Sequence, residues 1–175
     1  MCGQFHLEKE AVYRLSKEYS LPKEVPLFDI KPTQPALVLL KNKKSDIFQF
    51  GLSRKTLIIN AKCETIFEKP TFQKIINNTC IIPASYYYEW DNLSNKITLY
   101  NNEILYFAGL YNHHQFVILT TEANDSVKKI HTRMPLILNR EEKEDWLNNK
   151  NMDVLLHKIP SSLKNNQKIE QLTLF

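Results

Sequence analysis

The stretch TCIIPASYYYEWDNLSNKITLYNNEILYFAGLYNHHQFVILTT, residues 79–121, decides the fold. TCIIP (79–83), SYYYEWD (85–91), KITLY (96–100), EILYFAG (103–109) and QFVILTT (115–121) are short β-branched or aromatic runs. Asn, Asp, Ser, Lys and Pro separate them, so each reads as a strand. Several are continuously apolar rather than alternating, which predicts strands buried on both faces. Upstream, PALVLLK (35–41), DIFQFG (46–51) and TLIIN (56–60) have the same character.

Helical signals flank this middle. Leu7, Ala11, Leu15 and Tyr19 recur four apart with Val12 beside them, the pattern of an amphipathic helix over 7–19. Residues 63–77 read as one or two short helical turns broken at Pro70. Asn139-Arg140-Glu141-Glu142 is a capping-box pattern opening a helix that carries Trp146 and Leu147. The chain ends in LTLF (172–175), an apolar end expected to dock on the body. The order of elements predicts an α+β fold: one domain over 1–175, with a strongly curled, largely antiparallel, barrel-like sheet and flanking helices.

Composition sets the outer bounds. The 175 residues are 43% hydrophobic and 24% charged, the balance of a single globular domain. Three cysteines are too few for a disulfide scaffold and point to a reducing compartment, the cytoplasm. No apolar run approaches the ~20 residues a membrane span requires. MCGQFHLEKE lacks the basic-then-apolar pattern of a secretory signal. Three glycines, none in a GxGxxG or Walker A pattern, exclude glycine-rich phosphate loops. No ligand spacing among Cys and His suggests a metal, and no cofactor is expected. The net charge of +4 permits a polyanionic partner without demanding one. Lys41, Lys43, Lys44, Arg54, Lys55 and Lys62 form a basic stretch, and Glu141, Glu142, Glu144 and Asp145 an acidic one.

Four residues carry candidate chemistry. Removal of Met1 would leave Cys2 with a free α-amine beside its thiol. Such a 1,2-aminothiol captures an aldehyde: the amine forms an imine, and the thiol closes a five-membered thiazolidine on the same carbon. Taken alone, a cysteine here is more often a small buried residue near a terminus. Glu89, inside Tyr86-Tyr87-Tyr88-Glu89-Trp90, is flanked by aromatics whose desolvation raises a carboxyl pKa, unless it faces water from an edge. Strand alternation puts Tyr87 and Glu89 on one face, Tyr88 and Trp90 on the other. His131 precedes Arg133, a neighbour that can hold it neutral and so serviceable as a base. Asn60 closes an apolar run and could hold an oxyanion or simply form a turn. Cys63 and Cys80 have no partner motif, and His113-His114 lies in a loop.

These residues fall inside six motifs in a fixed order: Met1-Cys2-Gly3, Asn60 to Thr65, Cys80 to Trp90, Phe107 to Tyr111, Ile118 to Asn124 and Ile130 to Pro135. Together they resemble the SOS response-associated peptidase family, the abasic-site processing proteins. The resemblance implies a monomeric, DNA-damage-responsive protein that binds single-stranded DNA. It would cross-link covalently to the open-chain aldehyde of an abasic site through a thiazolidine on Cys2 and so shield the lesion. It further implies Cys2 as nucleophile, Asn60 as orienter of Cys2 or of the sugar, Glu89 as proton shuttle, and His131 as assistant to sugar ring opening and slow reversal. The peptidase of the family name would describe self-removal of Met1. Lys62, Arg54, Lys55 and Arg133 are the expected DNA contacts.

The chain departs from the family where Gln4, Lys62 and Thr79 replace arginines, where Tyr86 replaces a glycine, and in the short 52–59 segment. The expected consequence is intact chemistry with a reduced DNA grip. Two other readings begin from the same residues. N-terminal-nucleophile glutamine amidotransferases also start Met-Cys-Gly, though they need glycine-rich loops. A non-catalytic nucleic-acid binder could keep the fold.

Overall fold

The structure is a computed structural model and describes residues 2–167. Its strands are β1 (Gln4–His6), β2 (Pro35–Leu39), β3 (Ser45–Phe50), β4 (Asn60–Lys62), β5 (Thr79–Trp90), β6 (Lys96–Asn112), β7 (Gln115–Glu122), β8 (Arg133–Pro135), β9 (Ile137–Leu138) and β10 (Lys164–Asn165). Its helices are α1 (Lys9–Ser16), α2 (Pro70–Gln73), α3 (Arg140–Leu147) and α4 (Met152–Leu156), with a 3₁₀ turn over Cys63–Thr65.

Hydrogen bonding runs β5–β2–β3–β7–β6, and β6 pairs again with β5, so five strands close a barrel. Every seam is antiparallel except β3–β7. Closure removes the open edges that a curled sheet would otherwise present. The shorter strands attach outside this circuit: β1 on β5, β4 and β8 on β7, β9 and β10 on β6.

Burial on both faces accounts for the continuous apolar runs. Val38, Phe50, Ile82, Phe107, Phe116 and Ile118 turn into the barrel with Cys2 and Phe5. Leu37, Ile81, Ala108, Leu110, Val117 and Leu119 turn outward under the helices. Inside, Phe50 stacks on Phe116 with centroids 5.2 Å apart, and Phe5 meets both Phe50 and Phe107 edge-on. Gly109 lies opposite Cys80 on β5 and Ile118 on β7. A Cβ there would run into Ile82 Cδ1 and lie 2.9 Å from the Val117 carbonyl.

Outside, α1 buries Ala11 and Leu15, while Leu7 and Tyr19 join the same cluster from beyond its ends. The predicted helix over 7–19 is therefore shorter, although its apolar face is the one foreseen. The capping box of α3 is formed: Asn139 Oδ1 accepts from the Glu141 and Glu142 N–H groups at 3.0 and 2.9 Å. Glu142 accepts from the Asn139 N–H at 2.8 Å. Fully buried Trp146 then donates Nε1–H to the carbonyls of Cys80 (3.1 Å) and Gly109 (3.2 Å), fastening α3 to the β5–β6 seam.

The structure corrects several boundaries. TCIIP and SYYYEWD are one strand of 12 residues, and KITLY and EILYFAG are one of 17. Pro83 does not break β5, because it falls between Ile81, the partner of β2, and Tyr86, where β1 begins to pair. A register break sets Ser85 alone against residues 101–104, so β5 and β6 bend together rather than end. TLIIN enters the ladder only at Asn60; before it, Leu52 and Ile58 form an isolated bridge across a short loop. Pro70 begins α2 instead of breaking a helix, the position where its missing N–H costs nothing. LTLF lies outside the described residues.

Candidate functional site

The antiparallel register of β1 on β5 sets Phe5 against Tyr87 and Gln4 against Tyr88. Cys2, two residues before β1, is fully buried in the interior cluster that holds Phe5 and Tyr87. Tyr87 and Glu89 share the inner face and are 0% and 3% exposed, whereas Trp90 on the other face is 43% exposed. Asn60 opens β4, which lies parallel to β7 with Asn60 opposite Ile118. Its amide Nδ2 donates to the Cys2 carbonyl at 3.1 Å. Its Oδ1 is buried and has no partner among the described residues.

His131 sits in the turn before β8. Its Nδ1 lies 2.9 Å from the Arg133 backbone nitrogen. The same Nδ1 lies 3.2 Å from the Arg133 carbonyl, so it accepts from the N–H or donates to the carbonyl according to the tautomer.

Burial dominates the electrostatics. It raises the Glu89 pKa, with the charge of His131 opposing. It pushes the Cys2 thiol well up, Glu89 adds to that, and the Gln4 backbone N–H works against it. Cys2 therefore rests as a thiol, and the Glu89 carboxyl whose charge reaches it has a raised pKa as well. Cys63 and Cys80 are also buried, and the Cys63 thiol is pushed up to about 12 by burial and then by Glu64. Cys2 is joined to Asn60 by a hydrogen bond and to Glu89 by charge.

The expected DNA contacts are placed differently from one another. Lys62, at the end of β4, and Arg54 and Lys55, on the loop bridged by Leu52 and Ile58, are exposed. Arg133 is not: its side chain is 14% exposed. Its guanidinium donates to both Glu64 oxygens at 2.6 and 2.9 Å and to the Thr120 carbonyl at 2.6 Å. These bonds hold the Glu64 carboxyl below the usual carboxylate range. They tie β7 and β8 to the 3₁₀ turn that follows Asn60.

Sequence reasoning missed this brace, although Glu64 and Arg133 both lie in the quoted motifs. It also left Tyr87 without a role. The alternation had put Tyr87 on the face of Glu89, but nothing in the sequence told a tyrosine hydroxyl from a ring that merely fills the barrel.

The family profile described as SOS response associated peptidase (SRAP) matches residues 1–172. Abasic site processing protein YoqW of Bacillus subtilis (strain 168) is 33% identical over 187 residues, covering 87% of this chain and 83% of that protein. Abasic site processing protein YoaM of the same strain is 34% identical, covering 86% and 81%. A crystal structure of a Bacteroides thetaiotaomicron protein is similar with a TM-score of 0.79 at 25% identity, covering 94% of this chain and 90% of that one. A Bordetella bronchiseptica protein, at 22% identity and a TM-score of 0.80 over 94% of this chain and 98% of that one, shares the fold.

Proposed function

The chain belongs to the SOS response associated peptidase family, and from that premise we propose that it processes abasic sites in single-stranded DNA by linking covalently to them through Cys2. The observation that carries this reading is the hydrogen bond from Asn60 to the Cys2 carbonyl, which ties the N-terminal cysteine down beside Glu89. A terminal residue is ordinarily among the least ordered of a chain. Here its main chain is held and its thiol lies within reach of the Glu89 charge.

Removal of Met1 frees the Cys2 α-amine. The abasic sugar rests mostly as a closed hemiacetal, which an amine cannot attack. Opening it moves a proton from the anomeric hydroxyl and delivers one to the ring oxygen. Glu89 takes the first, His131 supplies the second, and the Glu89 proton then returns to His131 through solvent, which leaves both groups as they began. The amine then adds to the aldehyde carbon and water leaves, giving an imine. Cys2 sulfur adds to the imine carbon as its thiol proton passes to Glu89. The C=N π pair moves to nitrogen, which takes up a proton. Lys62, Arg54 and Lys55 contact phosphates on the approach, while Arg133 holds the His131 turn in place through Glu64 and Thr120.

The test is incubation with an oligonucleotide carrying one abasic site, followed by a denaturing gel. A band retarded by the mass of the protein supports the reading. Its absence, with loss of Met1 verified by mass, overturns it.

A further inference from the structure

The inner face of β5 holds a second polar group beside Glu89. The Tyr87 side chain is completely buried, and its hydroxyl has no hydrogen-bond partner among the described residues. The ring is fixed on two sides: Phe5 stands opposite it across the β1–β5 ladder, and Phe107 meets it edge-on at 5.7 Å. Rotation to find water is therefore blocked. An unpaired buried hydroxyl is destabilising, so a phenylalanine would serve this barrel better on stability alone.

We propose that Tyr87 is a positioning residue whose hydroxyl donates a hydrogen bond to the Cys2 sulfur as that sulfur gives up its proton and closes the ring. This rests on the covalent reading above. Tyr87 lies two residues before Glu89 on one strand face and opposite the strand that Cys2 leads into. The Cys2 and Glu89 charges both act on its hydroxyl, which stays protonated because burial, Cys2 and Glu89 all raise its pKa. Such a group is a donor and not an acid. It does not lose its proton; it shares it with a sulfur on which negative charge is growing. In the resting thiol that charge is absent and the hydroxyl has nothing to pair with. The bond is realised only as the reaction proceeds, and interactions of that kind are the ones that speed a step.

Tyr87→Phe separates the steps. Sodium cyanoborohydride traps the imine and so reads amine attack, while mass spectrometry without reductant reads ring closure. The variant should trap imine at the wild-type rate and close the ring about 10- to 100-fold more slowly, the range of a hydrogen bond to a charged group. The rising limb of its closure rate should move to higher pH, because the thiolate loses a donor while Glu89 and His131 are unchanged. Its melting temperature should equal or exceed that of the wild type. Closure at the wild-type rate with an unmoved pH profile overturns the proposal. Equal slowing of trapping and closure overturns it too, since that marks a general disturbance. If the wild type itself forms no adduct, the proposed function fails first and this inference goes with it.

Discussion

Asn60 donates its side-chain amide to the backbone carbonyl of Cys2 at 3.1 Å, across 58 positions of sequence. The bond joins the N-terminus to β4, and β4 to the barrel through β7. It holds main chain rather than sulfur, so it fixes where the α-amine lies without competing for the thiol.

Asn60→Ala should therefore slow adduct formation about 10- to 100-fold, the cost of loosening a reacting group. Asn60→Asp should also slow it, because a carboxylate cannot donate to a carbonyl. Single-turnover rates at saturating oligonucleotide measure both. A wild-type rate for Asn60→Ala would show that the Cys2 backbone needs no such tether.

Glu89 predicts opposed effects on activity and stability. Its pKa is raised in the fold, so the native state holds the proton more tightly than the unfolded chain does. The stabilising contribution is complete below the unfolded value, about 4.3, and is lost as pH rises through the folded value. At pH 7–8, Glu89→Gln should then melt above the wild type, with a difference that vanishes near pH 4. It should also lose roughly 10²–10⁴-fold in cross-linking rate. Thermal melts across that pH range, beside gel-based rates, check both signs.

The exposed basic residues should act through salt. Each phosphate contact on a single strand contributes a slope of about −0.7 to log K against log salt. Replacing Arg54, Lys55 and Lys62 together by alanine should flatten the slope for an undamaged oligonucleotide by about 2. Arg133→Ala should instead lower the melting temperature, since it breaks a brace that includes a partly buried arm on Thr120. A large change of slope from Arg133→Ala with no loss of stability would reverse these roles.

Gly109→Ala should destabilise the barrel by about 1–3 kcal/mol, the usual range for overpacking. The added methyl would press on Ile82, the Val117 carbonyl and Cys80 where three strands meet. Denaturant titration measures it, and a neutral result would mean that the β5–β6 seam can open at no cost.

The barrel was legible because its strands are buried on both faces, and continuous runs such as FVIL at 116–119 are what such strands require. The α3 cap was legible because its signal is local. The 12- and 17-residue strands were not, because Pro83 and the polar residues at 101–103 look like stops until the pairing that bypasses them is known. At the site, Cys2 and Glu89 could be chosen from their own chemistry. Asn60 and His131 drew their roles from the family motifs, since each alone is an ordinary turn residue. The Arg133–Glu64 brace and the stranded Tyr87 hydroxyl depend on contacts between distant segments, and no spacing encodes them.

The most direct measurement is the mass of the N-terminal peptide after the cross-linked DNA is digested to its sugar remnant. The account predicts a peptide that begins at Cys2, has lost Met1, and carries the sugar less one water, with no free thiol at Cys2. Cys2→Ala should give no such species, while Cys63→Ala and Cys80→Ala should. Attachment to a lysine, or an unmodified Cys2 in a cross-linked chain, would contradict it.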